Sequence, residues 1–350
     1  MIREVSIKNF KSLRDVRVKL ERFTVFVGAN ASGKSSILQA LDLLCRSADR
    51  RVGYDGNVLQ QWASHNSQGG VELASESQEN AYRCYFPPRP SKNGTSLGFG
   101  HPHQQGSTRD VATNLTVGDW KPWIPDQEKS DPLPRSMLLR LEASKLIPAS
   151  VGGPDRTAMS ADGTGLHPAL TSMALNDPDS WQALQTDLRA IISTIRRLRH
   201  SKVDPGQVPP VLFDTLGASG LSASDVSEGT LLVLGLLTSL YSPSRPNLIL
   251  LDDMDRGLHP RAQRDLIGLL RTILNLNPEL QIVATTHSPY MLDCMEPDEV
   301  RMTCLRDDGS TACDSLPHHP KFKKWKDEMD PGEMWSLFGE EWVVEAGVAG

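Results

Sequence analysis

Residues 28–35 form a glycine-rich loop whose sequence constrains both its own conformation and its neighbours. The segment Gly-Ala-Asn-Ala-Ser-Gly-Lys-Ser matches every fixed position of the pattern G-x-x-x-x-G-K-[ST], which cradles phosphate groups. A short β-branched run precedes the loop at 23–27, and apolar residues with helical spacing follow it at 36–44. Because strand, loop and helix are the context in which this motif binds phosphate, the sequence predicts a nucleotide-binding α/β fold.

The loop residues have expected roles toward a bound nucleotide. Gly28 and Gly33 let the backbone curl its N–H groups around phosphate oxygens. Lys34 is expected to reach the β- and γ-phosphates of ATP, and the Ser35 hydroxyl to hold Mg²⁺. The predicted nucleotide-binding residues of this segment are Gly28, Asn30, Ala31, Ser32, Gly33, Lys34, Ser35 and Ser36.

An acid pair is expected to complete the magnesium site. Asp252 follows the hydrophobic run 248–251, which is where a phosphate-loop ATPase carries the acid that orients the Mg²⁺ water shell. The next residue, Asp253, stands where an acid can polarise the attacking water. Two acids at a strand end also occur in simple turns, but the buried strand before them favours the magnesium role.

Two further segments are candidates for γ-phosphate contacts. His287 ends the predicted strand 281–286 and could hydrogen-bond the phosphate or the water, although a lone histidine there is more often structural. Ser227 is a good N-cap, and with Gly229 it opens a second helix whose N-terminus can bind phosphate. Since one ATP site already has its own helix, the natural use of the second is the phosphate bound by a partner subunit.

Composition narrows the class of protein. The 350 residues carry a net charge of −6, which disfavours a strongly basic nucleic-acid binder but leaves room for a local basic groove. Basic clusters at 196–202 and 321–326 are interpreted as solvated helix faces. The five scattered cysteines suggest a reducing cytoplasm and no metal site. No signal peptide or membrane-spanning helix is expected.

Hydrophobic patterning predicts the order of the elements. We expect two edge strands at 1–7 and 15–20, joined by a turn at 9–12. The segment 87–134, rich in Pro, Gly, Ser, Asn and Gln, predicts a long polar insertion that is partly flexible. Further strands are predicted at 71–73, 82–86, 136–143, 211–216, 247–251 and 281–286, and helices at 167–175, 178–198, 227–241 and 261–274. No sustained heptads are present, so no long coiled coil is expected.

In this order the motifs resemble those of a known group, the ABC-type ATPases of the SMC and OLD (overcoming lysogenization defect) kind, often described as bacterial AAA-family ATPases. The segments that carry the resemblance are 7–12, 28–35, 227–230, 248–260 and 286–289. The middle of the chain, at 139–150 and 162–181, is similar to smaller bacterial members. The ending, 331–339, resembles the tail of stand-alone ATPases encoded beside a separate effector gene.

The resemblance implies a fold and a domain plan. The expected fold is an α/β P-loop NTPase core of the ABC-ATPase kind, with a mostly parallel sheet, an antiparallel N-terminal β lobe and an inserted lobe. The core would comprise 1–48 and 222–345, and the inserted lobe 49–221. Lys11, in the opening motif, joins the predicted ATP-binding residues.

The resemblance also implies a mechanism. Two subunits would meet head to tail, and the loop of one chain and Ser227–Gly229 of the other would hold each ATP. Asp252 would hold Mg²⁺ and His287 would sense the γ-phosphate. The expected catalytic residues are then Lys34, Asp253 and His287, and the expected metal ligands are Ser35 and Asp252. Binding energy at the γ-phosphate would close the dimer, and hydrolysis would release it.

Two departures from the family pattern matter. The family usually has Glu where this chain has Asp253, and the shorter side chain predicts slow hydrolysis. The glutamine that normally approaches the site has no clear counterpart; the candidates are Gln60, Gln61, Gln104 and Gln105. The roughly 60 residues after Tyr290 are too few for the TOPRIM nuclease domain of OLD proteins, so no nuclease is expected here.

These observations favour an ATP-switched dimer that controls a separate effector, such as a nuclease or toxin, in bacterial defence against phage. One alternative is an SMC-like DNA-repair ATPase that clamps DNA, against which the acidic charge counts. Another is a weakly catalytic ATP-binding scaffold. A transporter subunit is disfavoured because 225–230 (DVSEGT) differs from the usual L-S-G-G-Q signature. No membrane contact is expected.

Overall fold

The structure, a computed structural model, describes residues 1–48, 70–76, 81–86, 133–149 and 157–346. Nearly all of the predicted polar insertion lies outside these residues, as do the four glutamine candidates Gln60, Gln61, Gln104 and Gln105.

A four-stranded antiparallel sheet is built around the N-terminal hairpin. Its strands run in the order β2-β1-β4-β5. Their bounds are β1, Glu4–Phe10; β2, Leu13–Lys19; β4, Val71–Glu76; and β5, Ala81–Phe86. The predicted hairpin is confirmed, but β1 is not an edge strand, because β4 pairs with its free side. The tight turn between Phe10 and Leu13 is helped by Asn9 and Lys11, which adopt positive φ angles of 58° and 53°.

A six-stranded sheet, in the order β12-β11-β3-β10-β9-β6, forms the centre of the molecule. Its strands are β3, Phe23–Gly28; β6, Ser136–Leu139; β9, Leu248–Leu251; β10, Gln281–Thr285; β11, Val300–Leu305; and β12, Thr311–Ser315. Every pair is parallel except β11 with β12. The strands β3, β9 and β10 are buried along their whole length. Apolar runs without alternation fit this burial on both faces, so the predicted mostly parallel α/β core is confirmed.

Helices cover the sheets. They are α1, Lys34–Ala48; α2, Ala143–Leu146; α3, Leu166–Asn176; α4, Pro178–Ile191; α5, Glu228–Tyr241; α6, Pro260–Leu276; α7, Pro289–Leu292; α8, Phe322–Trp325; α9, Pro331–Phe338; and α10, Trp342–Ala346. Single 3₁₀ turns occupy Ala223–Asp225, Pro297–Glu299 and Leu316–His318. None of the helices in the described ranges is long and apolar enough to cross a membrane.

The predicted helix 178–198 is wrong in its last third. The helix α4 starts where expected, with the Asp177 side chain accepting from the Ser180 N–H, but it ends at Ile191. The residues that follow form β7, Ile195–His200, which pairs antiparallel with β8, Val211–Thr215. Ile192, Thr194 and Ile195 are β-branched residues that lose side-chain freedom in a helix, which explains the break.

The basic cluster 196–202 therefore does not form a helix face. Arg197 and Arg199 lie on β7, and both pair with Asp214 on β8, at 3.1 Å each. The predicted strand 136–143 is also shorter than expected, because β6 ends at Leu139 and a turn leads into α2.

Elements from the segment 49–221 take part in both large sheets. The strands β4 and β5 extend the N-terminal sheet, and β6 forms an edge of the central one. The division of the chain into a core, 1–48 with 222–345, and an inserted lobe, 49–221, stays a prediction, and the strand pairing shows how intimately the two are joined.

Candidate functional site

The carboxyl ends of three parallel strands meet at one edge of the central sheet. The loop 28–35 follows β3, Asp252 follows β9, and His287 comes two residues after β10. Ligands of open α/β sheets bind at this edge, because side chains from neighbouring strand ends converge there. Motifs that are far apart in the sequence thus lie together in the structure.

The glycine loop is tightly enclosed by the strands beside it. Gly28 has a φ of +149°, and a Cβ atom there would lie 2.1 Å from the Thr303 carbonyl oxygen. Gly33 has a φ of +103°, and its Cβ would lie 2.3 Å from the Thr311 Oγ1. Since real Cβ atoms do not approach other atoms so closely, both positions require glycine.

The remaining loop residues divide into anchored and exposed ones. The Ser32 hydroxyl lies 2.6 Å from that of Thr303 and ties the loop to β11. Asn30 and Ala31 are exposed, and Ala31 takes a φ of +63°. Ser36 is half-buried on the first turn of α1. This pattern leaves the outer rim of the loop open to a ligand.

Lys34 folds back over its own loop. Its Nζ donates to the carbonyl oxygens of Gly28 and Ala29, at 2.9 and 2.8 Å, and the residue is only 5% exposed. Burial lowers the pKa of Lys34, and nearby carboxylates, Asp253 first and Glu340 next, oppose that shift. Phosphate oxygens that bind in the loop would replace the two carbonyl acceptors with charged ones.

Asp252 is the most heavily contacted group of the site. Its Oδ1 accepts from the Ser35 hydroxyl at 2.8 Å and from the Thr285 hydroxyl at 3.0 Å. Its Oδ2 accepts from Arg140 Nε at 2.9 Å. The carboxylate thus links the loop, two neighbouring strands and the end of β6.

The side-chain oxygens of Ser35 and Asp252 are suitable ligands for a magnesium ion. Mg²⁺ takes hard oxygen ligands, commonly one or two protein oxygens together with waters and nucleotide phosphates. The structure brings the hydroxyl and the carboxylate within hydrogen-bond distance of each other beside the loop. Their role as metal ligands stays a prediction that this donor set supports.

The backbone of Asp253 is fixed by a hydrogen bond, and its side chain is exposed. Its N–H donates to Thr285 Oγ1 at 2.8 Å, and its φ of +54° is rare for a residue other than glycine. The His287 Nε2 lies 4.0 Å from the Asp253 Oδ1, and both side chains are substantially exposed. The two groups therefore lie side by side at the exposed rim of the site.

Asp255 positions the histidine segment. Its Oδ1 accepts from the Thr286 hydroxyl at 2.8 Å and from the His287 N–H at 3.1 Å. The acidic turn after β9 and the end of β10 are thereby fixed to each other.

The segment that begins with Ser227 forms a separate helix start. The Ser227 hydroxyl caps α5 by accepting from the Thr230 N–H. Gly229 packs on the backbone of Gly257, where an added Cβ would lie 2.2 Å from the carbonyl oxygen. Within the described residues, no hydrogen bond or ion pair joins Ser227 or Gly229 to the loop 28–35. The structure therefore does not bring this predicted phosphate contact to the chain's own loop.

Lys11 reaches the site region from the N-terminal hairpin. Its Nζ donates to Gln39 on α1. Burial lowers the pKa of Lys11, as does the positive charge of Arg140, whereas Asp252 acts in the opposite direction. Two cations from outside the loop, Lys11 and Arg140, thus lie on the same side of the site.

Three residues near the site were not anticipated. Arg140 and Thr285 contact Asp252, and the Glu340 carboxylate near Lys34 accepts from the Trp335 indole at 2.9 Å. The sequence held a partial signal for Thr285, which stands beside the histidine motif. Arg140 and Glu340 could not be found without the strand order that brings distant segments together.

Two protein-family models match the chain. One, described as "AAA domain, putative AbiEii toxin, Type IV TA system", matches residues 165–293, and the other, "AAA ATPase domain", matches residues 1–81. The first includes α5, Asp252 and His287, and the second includes the glycine loop. The matched regions thus contain the main parts of the site.

Curated relatives share similarity over different lengths. The Septu protein PtuA of Bacillus mycoides (strain KBAB4) is 22% identical over 322 residues, covering 83% of this chain and 38% of that protein. The Septu protein PtuA of Bacillus thuringiensis is 38% identical over 71 residues, covering 20% of this chain and 17% of that protein. The DNA replication and repair protein RecF of Synechococcus sp. (strain JA-3-3Ab) is 36% identical over 63 residues, which are 18% of this chain and 17% of that protein. The chain spans well under half the length of these relatives.

Solved structures share the fold. The Smc head bound to the C-winged helix domain of ScpA gives a TM-score of 0.61 at 14% identity, covering 92% of this chain and 99% of that one. An Smc head with an extended coiled coil, bound to the C-terminal domain of ScpA derived from Pyrococcus furiosus, gives 0.57 at 14% identity, covering 94% and 100%.

Fold and site together define a P-loop ATPase. The order of the motifs along the sheet, the two AAA family matches and the Smc-head fold make the chain similar to ABC-type ATPases of the SMC/OLD-like group.

Proposed function

We propose that this ATPase is a dimeric switch in which two copies meet head to tail around ATP and Mg²⁺. In each site the loop 28–35 of one chain and Ser227–Gly229 of the other would contact the same nucleotide. The observation that supports this proposal is the set of contacts each part makes. The loop, Asp252, Asp253 and His287 share one edge, whereas the capped helix start at Ser227 has no hydrogen bond to the loop in the described structure.

The residues of one chain supply most of the chemistry. Lys34 would exchange its two carbonyl acceptors for phosphate oxygens. Hydrogen bonds between its ammonium group and charged phosphate oxygens are stronger than those to neutral carbonyls. Ser35 and Asp252 would hold Mg²⁺, which supplies charge neutralisation for the phosphates when bound. Asp253 would orient the attacking water, and His287 would hydrogen-bond the γ-phosphate.

We place this switch in bacterial anti-phage defence, acting on a separately encoded effector such as a nuclease or toxin. The similarity to two Septu PtuA proteins supports this role. The fold supports the nucleotide switch and leaves the effector to be found by experiment.

Complementation between two inactive variants tests the shared site. Lys34→Ala removes the loop lysine, and Ser227→Arg blocks the helix start, so each variant alone should hydrolyse ATP at less than a tenth of the wild-type rate. A mixed dimer contains one site built from the intact loop of the second variant and the intact helix start of the first. Mixing equal amounts should therefore restore a substantial part of the wild-type rate, measured as phosphate release.

Ser224→Arg is the matched control, because Ser224 is an exposed serine just before the same helix and contacts only Ser222 in the described residues. It should leave the rate of phosphate release near that of the wild type. If mixtures of Lys34→Ala and Ser227→Arg stay as inactive as the separate variants, the two segments do not share a site.

A DNA clamp is the second candidate, favoured by the RecF similarity over 63 residues. The arginines of β7 give it little support, because Arg197 and Arg199 share Asp214. DNA binding that appears only with ATP and weakens steeply with salt would establish the clamp.

A further inference from the structure

Arg140 stands directly beside the acid that is expected to bind magnesium. The strand β6 runs parallel to β9, with Leu139 opposite Leu251, and the Asp252 N–H donates to the Leu139 carbonyl at 3.2 Å. Arg140 is the first residue beyond the end of β6, at the carboxyl edge where the nucleotide would bind. The fold thus delivers a cation from a segment that is distant in sequence.

The contact between Arg140 and Asp252 uses one of the N–H donors of the guanidinium. Arg140 Nε donates to Asp252 Oδ2 at 2.9 Å, and this is the one hydrogen bond from the Arg140 side chain that we find among the described residues. A guanidinium carries five N–H donors arranged to match carboxylate or phosphate oxygens. The side chain is 44% exposed, so its remaining donors can reach a ligand.

The surroundings of Arg140 favour a role beyond stability. An ion pair with this exposure contributes little to folding. A cavity of about 230 Å³ opens beside the pair; Arg140, Asp252 and Asp253 line it together with mostly apolar side chains, and the loop 28–35 does not. Arg140 therefore borders open space next to both acids of the site.

The cation also competes with magnesium for the same carboxylate. Asp252 already accepts two hydroxyls on Oδ1 and Arg140 on Oδ2, so its oxygens are in use. Mg²⁺ at Asp252 would face the guanidinium charge at close range, and a nearby phosphate would offer Arg140 a more highly charged acceptor.

We propose that Arg140 is a nucleotide-sensing residue that exchanges acceptors. Without nucleotide it neutralises Asp252, and when Mg²⁺–ATP binds it leaves Asp252 and donates to the terminal phosphate. ADP lacks that phosphate, so Arg140 would distinguish ATP from ADP. The inference deepens the proposed switch and rests on it for its biological meaning, but the exchange itself takes place within one chain.

The test measures binding to a single chain. In a Ser227→Arg background, which removes the partner's contact, we would titrate AMP-PNP and ADP with Mg²⁺ by calorimetry. Arg140→Ala should weaken AMP-PNP binding about tenfold or more, the size of one lost charged hydrogen bond, and should not weaken ADP binding. The Mg²⁺ concentration needed for half-maximal ADP binding should fall, because the competing cation is gone.

Two further variants keep the result interpretable. Arg135→Ala changes an arginine at the opposite end of β6, whose guanidinium contacts Ser244, and should leave both affinities unchanged. Arg140→Lys keeps the charge and should retain part of the preference for AMP-PNP. Thermal unfolding without nucleotide reports whether each variant is folded.

The outcomes separate this proposal from the dimeric switch. Equal losses for AMP-PNP and ADP, or no loss for either, would overturn the role of Arg140. Failure of Lys34→Ala and Ser227→Arg to complement would overturn the shared site, and it would leave the measured preference of one chain for AMP-PNP unaffected.

Discussion

At the scale of single residues, Asp253 stands where the ATPases that the chain resembles usually carry Glu. The backbone of Asp253 is fixed by Thr285, and its carboxylate faces His287 at 4.0 Å. A Glu side chain would extend one methylene further toward the space between them. Errors of about 1 Å in the placement of a catalytic group can cost on the order of a hundredfold in rate. Asp253 therefore makes a slow ATPase the expected behaviour of this site.

Asp253→Glu should raise the ATP turnover number by about tenfold or more. The longer side chain brings the carboxylate nearer to the water that attacks the γ-phosphate, while the contacts of Asp252 and Lys34 stay unchanged. Steady-state phosphate release measures the effect, and calorimetric ADP affinity serves as the control. Unchanged or reduced turnover, with unchanged ADP affinity, would contradict the geometric explanation of the Asp. A wild type and variant that both bind ATP without turnover would instead point to the scaffold alternative.

The sequence was a good guide to residues whose roles are local. The positions of the loop glycines, Ser35 and the acid pair at strand ends could be predicted because each follows a recognisable strand in the chain, and their roles stay predictions. Arg140 could not, since nothing near it in sequence indicates that β6 will lie beside β9. The glutamine candidates lie outside the described residues and stay predictions.

At the scale of elements, local propensity and tertiary pairing compete. The helix α4 begins at a clear signal, the Asp177 cap, and the apolar pattern after it suggested a longer helix than the structure has. Its true end depends on the pairing of β7 with β8, a contact that the helical pattern does not reveal. Strand boundaries in the buried sheet were easier to predict than the end of α4, because continuous apolar runs are short and end at polar residues.

His167 is the polar joint between α3 and β8. Its Nδ1 accepts from the Val211 N–H at 2.9 Å, and its Nε2 lies 3.0 Å from the Ile147 carbonyl oxygen. This pattern requires the neutral ring with its proton on Nε2. Burial lowers the pKa of His167, and burial also lowers that of the neighbouring His200.

Folding should therefore weaken as the pH falls below about 6.5, the ordinary histidine pKa. Above that pH neither the folded nor the unfolded chain protonates His167, so its contribution to stability is complete. Below it the unfolded chain takes up the proton first, and the free energy of unfolding drops until the lowered pKa of the folded chain is reached. Urea unfolding between pH 8 and pH 5 measures the slope.

His167→Gln provides the comparison, because an amide can accept from Val211 and donate to Ile147 without titrating. The variant should lose stability at pH 8 through imperfect packing, and the difference from the wild type should shrink toward pH 5. A difference that stays constant over this range would show that His167 does not carry the pH dependence.

At the scale of the whole molecule, the fold turns a linear series of motifs into one edge of a sheet. The parallel order of β3, β10, β9 and β6 brings segments from both ends and the middle of the chain to the same place. Motif order predicted the class of protein, because each motif marks one strand end of a known sheet. It did not predict that β4 and β5 would pair in the N-terminal sheet and β6 in the central one. Pairing across long sequence separations leaves no local signal in the sequence.

This architecture leaves the helix start at Ser227 without a hydrogen bond to the loop 28–35 in the described structure. A second copy of the chain is the partner that the head-to-tail arrangement would supply. Bound nucleotide would then hold the two subunits together, and loss of Lys34 would prevent the nucleotide from doing so. Subunit contact and nucleotide binding should therefore be coupled.

The measurement that tests this coupling most directly is the molar mass in solution, by light scattering, with and without ATP and Mg²⁺. It would be made for the wild type and for Lys34→Ala. We expect ATP to raise the mass of the wild type at least to that of a dimer of the 38.5 kDa chain and to leave the variant unchanged. A mass that is the same in every state would contradict the account, because nucleotide would then have no control over the contact between subunits.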